Sequence, residues 1–420
     1  MGRKARDNRP RLKPVEKIQL SGENLTLRLI AAAGFLLLGA GALTYAFSQL
    51  LSPGTGWQTI EAGTSEGANC GGEFVFLYEL GAGGTSAAAE SKAVTRLYTD
   101  ACGRMFQVFH TLESFEGVTN LRDVNLHPNE TLTVDGALYR AFETVQRFGD
   151  RTVYLGPVYE RYNGLFRCTD DSQLPDYDPY LSEEVREEYE AAAAFAGDPR
   201  AVDLRLLGDN QVCLYVSEEY LAYARQWEIE RYLDFGWLRN AFAIDYLAQV
   251  LTENGYTHGS ISSYDGFVRN LDGRGLDYAM NLYDFADDSV WPAGVMNYRG
   301  PRSIVYLRDY PLNGADGQRM YRLKTGEVRT GYLSPGDGRC KSAVHDLIAY
   351  SDKAGCAEIA LLAAPIYVAD TLDAAALKGL AEIGLQSVRI EDRVIRGTDA
   401  GLTLTDLYEG EGVRYTSSLG

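Results

Sequence analysis

Between Leu29 and Leu51 the chain reads LIAAAGFLLLGAGALTYAFSQLL, 23 residues without a formal charge. At about 1.5 Å per residue, a helix over this run crosses a hydrocarbon core of about 30 Å. Residues 1–28 place eight basic side chains (Arg3, Lys4, Arg6, Arg9, Arg11, Lys13, Lys17 and Arg28) in front of it, against Asp7, Glu16 and Glu23. That asymmetry predicts a cytoplasmic N-terminus and a single crossing. A cleavable signal peptide with Ala40-Gly-Ala42 as its small-residue site is the rival reading. The apolar run continues through Tyr45, Phe47 and Leu51, longer than an ordinary signal-peptide core, which favours an uncleaved anchor. Ser52-Pro-Gly-Thr-Gly56 reads as a linker. The expected organisation is a basic cytoplasmic N-terminus (1–28), a transmembrane helix (29–51), a linker (52–72) and an extracytoplasmic domain (73–420).

The N-terminal 28 residues carry a local charge of +5 within a chain of formal charge −18, which leaves −23 on the rest. A surface so acidic disfavours nucleic acid and anionic lipid, because both need positive charge. A hydrophobic content of 45% indicates a chain that can bury a core. Cys70, Cys102, Cys168, Cys213, Cys340 and Cys356 all follow the membrane run and would permit up to three disulfides, or remain as buried thiols. None has the C-x-x-C spacing of a zinc cluster.

Elements follow from the hydrophobic pattern. Glu73–Leu80 reads as a strand, Ser86–Leu112 as a helix with Ala93, Leu97, Ala101, Met105, Val108 and Leu112 on one face, and Asp135–Phe148 as a second helix. Leu181–Ala196 and Glu218–Arg231 read as acidic helices with solvated faces, on either side of strands near Val202–Leu207 and Gln211–Val216. In Tyr232–Leu251, YLDFGWLRNAFAIDYLAQVL, a strand end leads through a turn at Gly236 into a helix. Leu238, Phe242, Ile244, Leu247 and Leu251 recur at helical spacing and should face a core. Gly236 supplies a positive φ or a close backbone approach, and the helix start behind it suits a phosphate. Further strands are expected at Asp277–Phe285, Ser303–Leu307, Ala343–Ser351 (with His345 as a packed polar residue) and near Val388. Asp284, Asp287 and Asp288 form either a cation site or a solvated loop, with the loop preferred.

The order of residues in the central stretch carries more. Asp234-Phe-Gly236-Trp-Leu-Arg239-Asn240-Ala241-Phe-Ala-Ile-Asp245 resembles the D-L-G-G-I-A-K-G-Y-A-V-D signature of the FAD:protein FMN transferases, the ApbE-like family. Asp234, Gly236 and Asp245 stand at matching positions, whereas Asn240 occupies the position of the family's lysine. Other segments follow in order. Phe115–Asn125 is similar to S-E-I-x-x-L-N with Asn125 kept, and Gly149–Val158 to G-A-F-D-P-T-V-G-P-L with Gly156-Pro157 kept. Gly255–Gly266 is similar to G-x-x-N-A-L-V-N-L-G-G-D, with Tyr264-Asp265 in place of the glycine pair, so the tyrosine should fill ligand space. Tyr332–Arg339 is similar to H-I-L-D-P-x-T-G-x-P, with Pro335 and Gly338 kept. The A-D-A-L-x-T-A-L metal motif has two candidate registers. Asp370-Thr-Leu-Asp373-Ala374 looks like it, but lies only about twenty residues before the Val388 strand; family spacing assigns the motif to Gly355–Leu362. Cys356 then stands at the aspartate position and Ala360 at the threonine position.

The resemblance implies an α+β fold of antiparallel sheets and long packed helices over residues 73–400, preceded by the transmembrane helix. It implies FAD or FMN as ligand, with Asp234, Gly236, Arg239, Asp245, Asp265 and Gly338 as the cofactor-binding candidates. The family cleaves FAD with Mg²⁺ and places FMN on a threonine of an extracytoplasmic partner. The replaced lysine and metal positions remove the expectation of Mg²⁺ here and imply a catalytically degenerate module that binds a flavin, a nucleotide or another extracytoplasmic or membrane protein. The alternative is an active transferase with a rebuilt site, using Asp234, Asp245 and Asp265 as carboxylates and Arg239 as the cation.

Overall fold

Alternation in Phe74–Leu80 puts Phe74, Phe76, Tyr78 and Leu80 on one face, and all four are buried. The computed structural model describes residues 54–63, 71–84 and 86–420. The basic N-terminus, the apolar run at 29–51 and Cys70 lie outside the described residues. Among the described residues no helix is long and apolar enough to cross a membrane.

In chain order the strands are β1 (Gly56–Ile60), β2 (Phe74–Leu80), β3 (Thr131–Thr133), β4 (Val202–Gly208), β5 (Gln211–Val216), β6 (Gly259–Ser263), β7 (Phe267–Asn270), β8 (Asp277–Ala286), β9 (Ser289–Arg299) and β10 (Arg302–Arg308). They continue with β11 (Met320–Arg322), β12 (Val328–Thr330), β13 (Asp346–Ser351), β14 (Gln386–Glu391), β15 (Val394–Gly397), β16 (Thr403–Thr405), β17 (Glu409–Gly410), β18 (Val413–Arg414) and β19 (Thr416–Leu419). The helices are α1 (Ala87–Val108), α2 (Leu121–Leu126), α3 (Gly136–Phe148), α4 (Gly156–Tyr162), α5 (Glu183–Gly197), α6 (Glu218–Gln226), α7 (Arg239–Glu253), α8 (Cys356–Tyr367) and α9 (Ala374–Glu382).

A nine-stranded sheet ordered β1-β2-β6-β7-β10-β13-β14-β15-β19 is the spine. Its pairings are antiparallel except β15 with β19. Helices α1, α7 and α8 cover one face, with α7 packed on α1, α8 and strands β6 and β7. The other face packs against the sheet β16-β9-β8, so two apolar cores lie back to back. Strand β10 shows why its sequence is continuously apolar: Val305 and Leu307 enter the helical core while Ile304 and Tyr306 enter the second. This is the α+β architecture expected.

Several readings need correction. β1 pairs with β2 over Gly56–Ile60, so the folded domain begins inside the stretch read as a linker. On α1, Ala101, Met105 and Val108 are buried as expected, together with Val94, Tyr98 and Cys102; Leu97 is half-buried, Ala93 is exposed, and Leu112 lies beyond the helix end. In the first half of the helix Tyr98, next to the expected Leu97, packs its ring against Phe76 at a centroid distance of 5.1 Å. α6 stops at Gln226, and Glu228 has φ 54, which ends the helix that was expected to reach Arg231. Strand β9 was not anticipated. It contains Pro292 and Gly294, and its register with β8 shifts there, so the proline sits at a bulge. His345 precedes β13 instead of lying within it, and pairs with Asp309 at 3.0 Å. Among the described cysteines, Cys102, Cys168, Cys213, Cys340 and Cys356 are all free thiols.

Candidate functional site

The segment before α7 is held from both sides. Asn125 accepts from the N–H groups of Tyr232 (3.1 Å) and Leu233 (2.8 Å) and donates to the Leu233 carbonyl at 2.9 Å. Asp234 then accepts from the Gly236 N–H at 2.8 Å and from Arg231 at 3.1 Å. Residues 232–235 are loop, not a strand end, and Gly236–Leu238 is a single 3₁₀ turn leading into α7. Gly236 has φ 51, and a Cβ there would lie 2.2 Å from the Tyr159 ring. Glycine is thus required twice, by handedness and by the aromatic ring beneath it. Leu238, Phe242, Ile244, Leu247 and Leu251 are all buried, as their spacing predicts.

This turn forms one wall of a cleft of about 1180 Å³. The volume lies just above the about 300–1,000 Å³ of ordinary small-molecule sites. Asp234, Gly236, Arg239, Asn240 and Asp265 all line it, so five positions singled out in the sequence converge. Tyr264 also lines it but is 43% exposed, so it borders the cleft instead of filling it. Tyr159, Trp237 and Tyr332 give the interior its aromatic character, with Trp237 edge-on to Tyr332 at a centroid distance of 5.1 Å.

Four arginines line the cleft, and three of them, Arg231, Arg239 and Arg319, stand in ion pairs; Arg167 is the fourth. Arg239 reaches Glu73 at 2.7 Å, and Arg231 holds Asp234 with Glu160 at 3.8 Å. Arg319 contacts Asp265 at 3.1 Å and Asp316 at 3.3 Å. The Asn240 side-chain amide donates to Asp265 Oδ2 at 2.8 Å. Burial raises the Asp265 carboxyl above the ordinary carboxylate range, against the opposing pull of Arg319, Ser263 and Asn240. Asp265 Oδ1 is buried without a hydrogen-bond partner among the described residues, as is Trp237 Nε1. The nearby Ser263 hydroxyl is engaged with Phe267, accepting from its N–H at 3.1 Å and donating to its carbonyl at 3.4 Å.

Two candidates lie elsewhere. Asp245 faces away from the cleft's lining and accepts from the backbone N–H groups of Cys356 and Ala357, both at 2.9 Å. It therefore caps α8, whose own N-cap residue Gly355 offers no side chain; a Cβ at Gly355 would lie 2.4 Å from the carboxylate. Gly338 has φ 69 in a turn against Tyr189 and does not line the cleft. At the metal positions, the Cys356 thiol is fully buried and donates to the Val268 carbonyl at 3.2 Å, while Ala360 is buried and has no donor atom. Burial pushes the Cys356 thiol well above its usual range. In the other register, Asp370 pairs with Lys341 at 3.0 Å, and Asp373 is the residue that caps α9. Asp284 is buried against Tyr415, Asp287 pairs with Arg393 and Asp288 with Arg322. Among the described residues no group of three or more His, Cys, Asp or Glu side chains is arranged to hold a metal ion.

Two solved structures align with this fold. The flavin transferase ApbE from Vibrio cholerae aligns with a TM-score of 0.55 at 16% identity, covering 86% of this chain and 98% of that one. The ApbE protein from Thermotoga maritima aligns with a TM-score of 0.51 at 14% identity, over 75% and 89% of the two chains. The fold is that of the ApbE flavin transferases. No protein-family model matches the sequence, and no curated protein does. What the ApbE-like fold leaves open is the cleft's chemistry, and there Tyr159, Arg231, Glu73 and Arg319 are contributors that motif reading missed. Trp237 sits inside the recognised motif. Arg319 carries no motif signal, because its partner Asp265 is brought to it only by the tertiary fold.

Proposed function

We propose that this chain is a membrane-anchored, extracytoplasmic flavin-binding module that uses a flavin-transferase fold without carrying out flavin transfer, and that it acts on another extracytoplasmic or membrane protein. The observation that carries the reading is the Asn240–Asp265–Arg319 chain at the start of α7. Cleaving a pyrophosphate requires neutralisation of the charge that builds on phosphoryl oxygens, by cations and an oxygen-ligated metal. At this position the chain offers a neutral amide that holds a carboxylate, and the one arginine in contact with that carboxylate is already paired.

The residues present do not fit Mg²⁺. That ion needs near-octahedral oxygen donors; Cys356 is a protonated buried thiol and Ala360 offers no donor. The Asp245 oxygens each accept a backbone N–H of α8. No step is therefore assigned to a metal. The rebuilt-transferase reading needs Asp245 or Arg239 to act on the ligand, and both are engaged with protein groups.

The test of binding is whether full-length protein purified in detergent retains or takes up a flavin, measured by visible absorbance after equilibrium dialysis. Stoichiometric uptake that is lost in Trp237→Ala supports the reading; no uptake contradicts it. Topology is tested separately with a membrane-impermeant thiol reagent on intact cells after mild unfolding, since Cys102, Cys340 and Cys356 are buried. Labelling that requires lysis contradicts the extracytoplasmic placement.

A further inference from the structure

We propose that the outer face of the β1–β2 pair lies against the headgroup layer of the membrane that holds this chain, with Trp57 as its anchoring side chain. The inference rests on the membrane-anchor part of the reading above and is independent of the flavin part.

In the β1–β2 pairing, Trp57 stands opposite Glu79 and Thr59 opposite Leu77. These four share one face, while Ile60, Phe76 and Tyr78 point the other way into the helical core. Leu77 is the diagonal neighbour of Trp57, within reach of an aromatic side chain. The face is left open to solvent: Trp57 is 39% exposed and Leu77 38%. Trp57 sets its ring edge-on to Tyr278 at a centroid distance of 6.4 Å, and Leu276, two residues before Tyr278, is 40% exposed. Single exposed apolar residues need no explanation; apolar and aromatic side chains gathered around one tryptophan mark a surface that something covers.

The charges beside this patch are matched within the protein. Arg274 pairs with Glu79 at 2.7 Å and with Asp272, and the Tyr278 hydroxyl donates to Asp272 at 2.6 Å. An apolar patch with its charges neutralised suits zwitterionic lipid and does not need the basic cluster by which proteins bind anionic lipid.

The chain itself indicates what covers the patch. The apolar run ends at Leu51, and β1 begins at Gly56. From Leu51 to Trp57 the backbone reaches at most about 22 Å, at roughly 3.6 Å per residue. The headgroup layer on each side of the hydrocarbon core is about 5–8 Å thick. A patch tethered so closely meets lipid at high effective concentration, and the amphipathic ring of tryptophan favours that level of a bilayer. Depth is limited as well. β1 ends the nine-stranded sheet, so its outer backbone groups have no strand partner among the described residues and need water or headgroups. The pair therefore rests at headgroup level and does not enter the hydrocarbon.

The test is quenching of tryptophan fluorescence in full-length protein reconstituted into phosphatidylcholine vesicles that carry a nitroxide lipid. The chain's four tryptophans are Trp57, Trp227, Trp237 and Trp291, so all the emission comes from the folded domain. A nitroxide near the headgroup should quench part of it, a nitroxide near the acyl-chain end should quench less, and Trp57→Phe should lose most of the quenching. Trp227→Phe removes another exposed tryptophan and should keep it. No quenching in the unsubstituted protein, or quenching that Trp57→Phe leaves intact, overturns the inference. An unquenched protein whose Trp57→Cys variant forms an interchain disulfide assigns the face to a second copy of the chain instead. Alkaline carbonate extraction separates the two readings: protein released by carbonate overturns the anchor and this inference with it, whereas protein retained but unquenched overturns this inference alone.

Discussion

Asn240 and Asp265 meet at 2.8 Å, an amide on the first turn of α7 donating to a carboxylate on the turn between β6 and β7. This bond stands where the flavin-transferase signature that the chain resembles sets a lysine. Asn240→Ala leaves Asp265 Oδ2 to Arg319 alone. A hydrogen bond to a charged group contributes about 1.5–3 kcal/mol, so urea midpoints should fall accordingly. Asn240→Lys should pair with Asp265 and yield no FAD cleavage, because Cys356 and Ala360 are unchanged; AMP release above a no-enzyme control in that variant would contradict the expectation.

Asp245 belongs to the stability of the fold, not to the cleft. It is buried and bonds to two N–H groups at the start of α8. Asp245→Ala should cost about 1–3 kcal/mol for each donor left unpaired, and Asp245→Asn, which keeps one acceptor, should cost less. Flavin affinity of the folded fraction should be unchanged in both. A loss of binding with no loss of stability would place Asp245 in the ligand site instead.

The reach of the sequence is clearest where local pattern and burial coincide. The α7 stripe and strands β10 and β13 were legible because their apolar positions repeat at the helical period or run unbroken through a two-sided core. Strand β9 was hidden by Pro292 and Gly294, which signal a turn locally and are accommodated by a bulge only once β8 is alongside. In the site, Asp234, Gly236, Asn240 and Asp265 were found through the motif. Glu73 with Arg239 could not be, since a pair separated by 166 residues leaves no local trace. Asp245 and Gly338 also match motif positions but are not among the residues lining this cleft: the first caps α8 and the second turns against Tyr189, contacts a residue pattern does not reveal.

His345 offers a pH test away from the cleft. Its hydrogen bond to Asp309 raises its pKa above the ordinary imidazole value, overcoming partial burial. A group raised in the folded state contributes its stabilisation fully below the unfolded value, and loses it as pH climbs through the folded one. The stability gap between the unsubstituted protein and His345→Gln should therefore be widest at mildly acidic pH and close toward alkaline pH. Denaturant midpoints across that range check it; a gap that widens with pH would contradict the pairing.

The central claim is that the cleft retains the transferase fold without its phosphoryl chemistry. Its most direct test is incubation of the full-length protein with FAD, Mg²⁺ and a flavin-acceptor domain, reading AMP release and in-gel flavin fluorescence of the acceptor. Each 1.36 kcal/mol of lost transition-state stabilisation is tenfold in rate, and both the cation and the oxygen-ligand positions are altered here. The account predicts AMP and acceptor fluorescence indistinguishable from the no-enzyme control. Turnover that is abolished by Arg239→Ala or Asp265→Ala would contradict it and establish an active, rebuilt transferase.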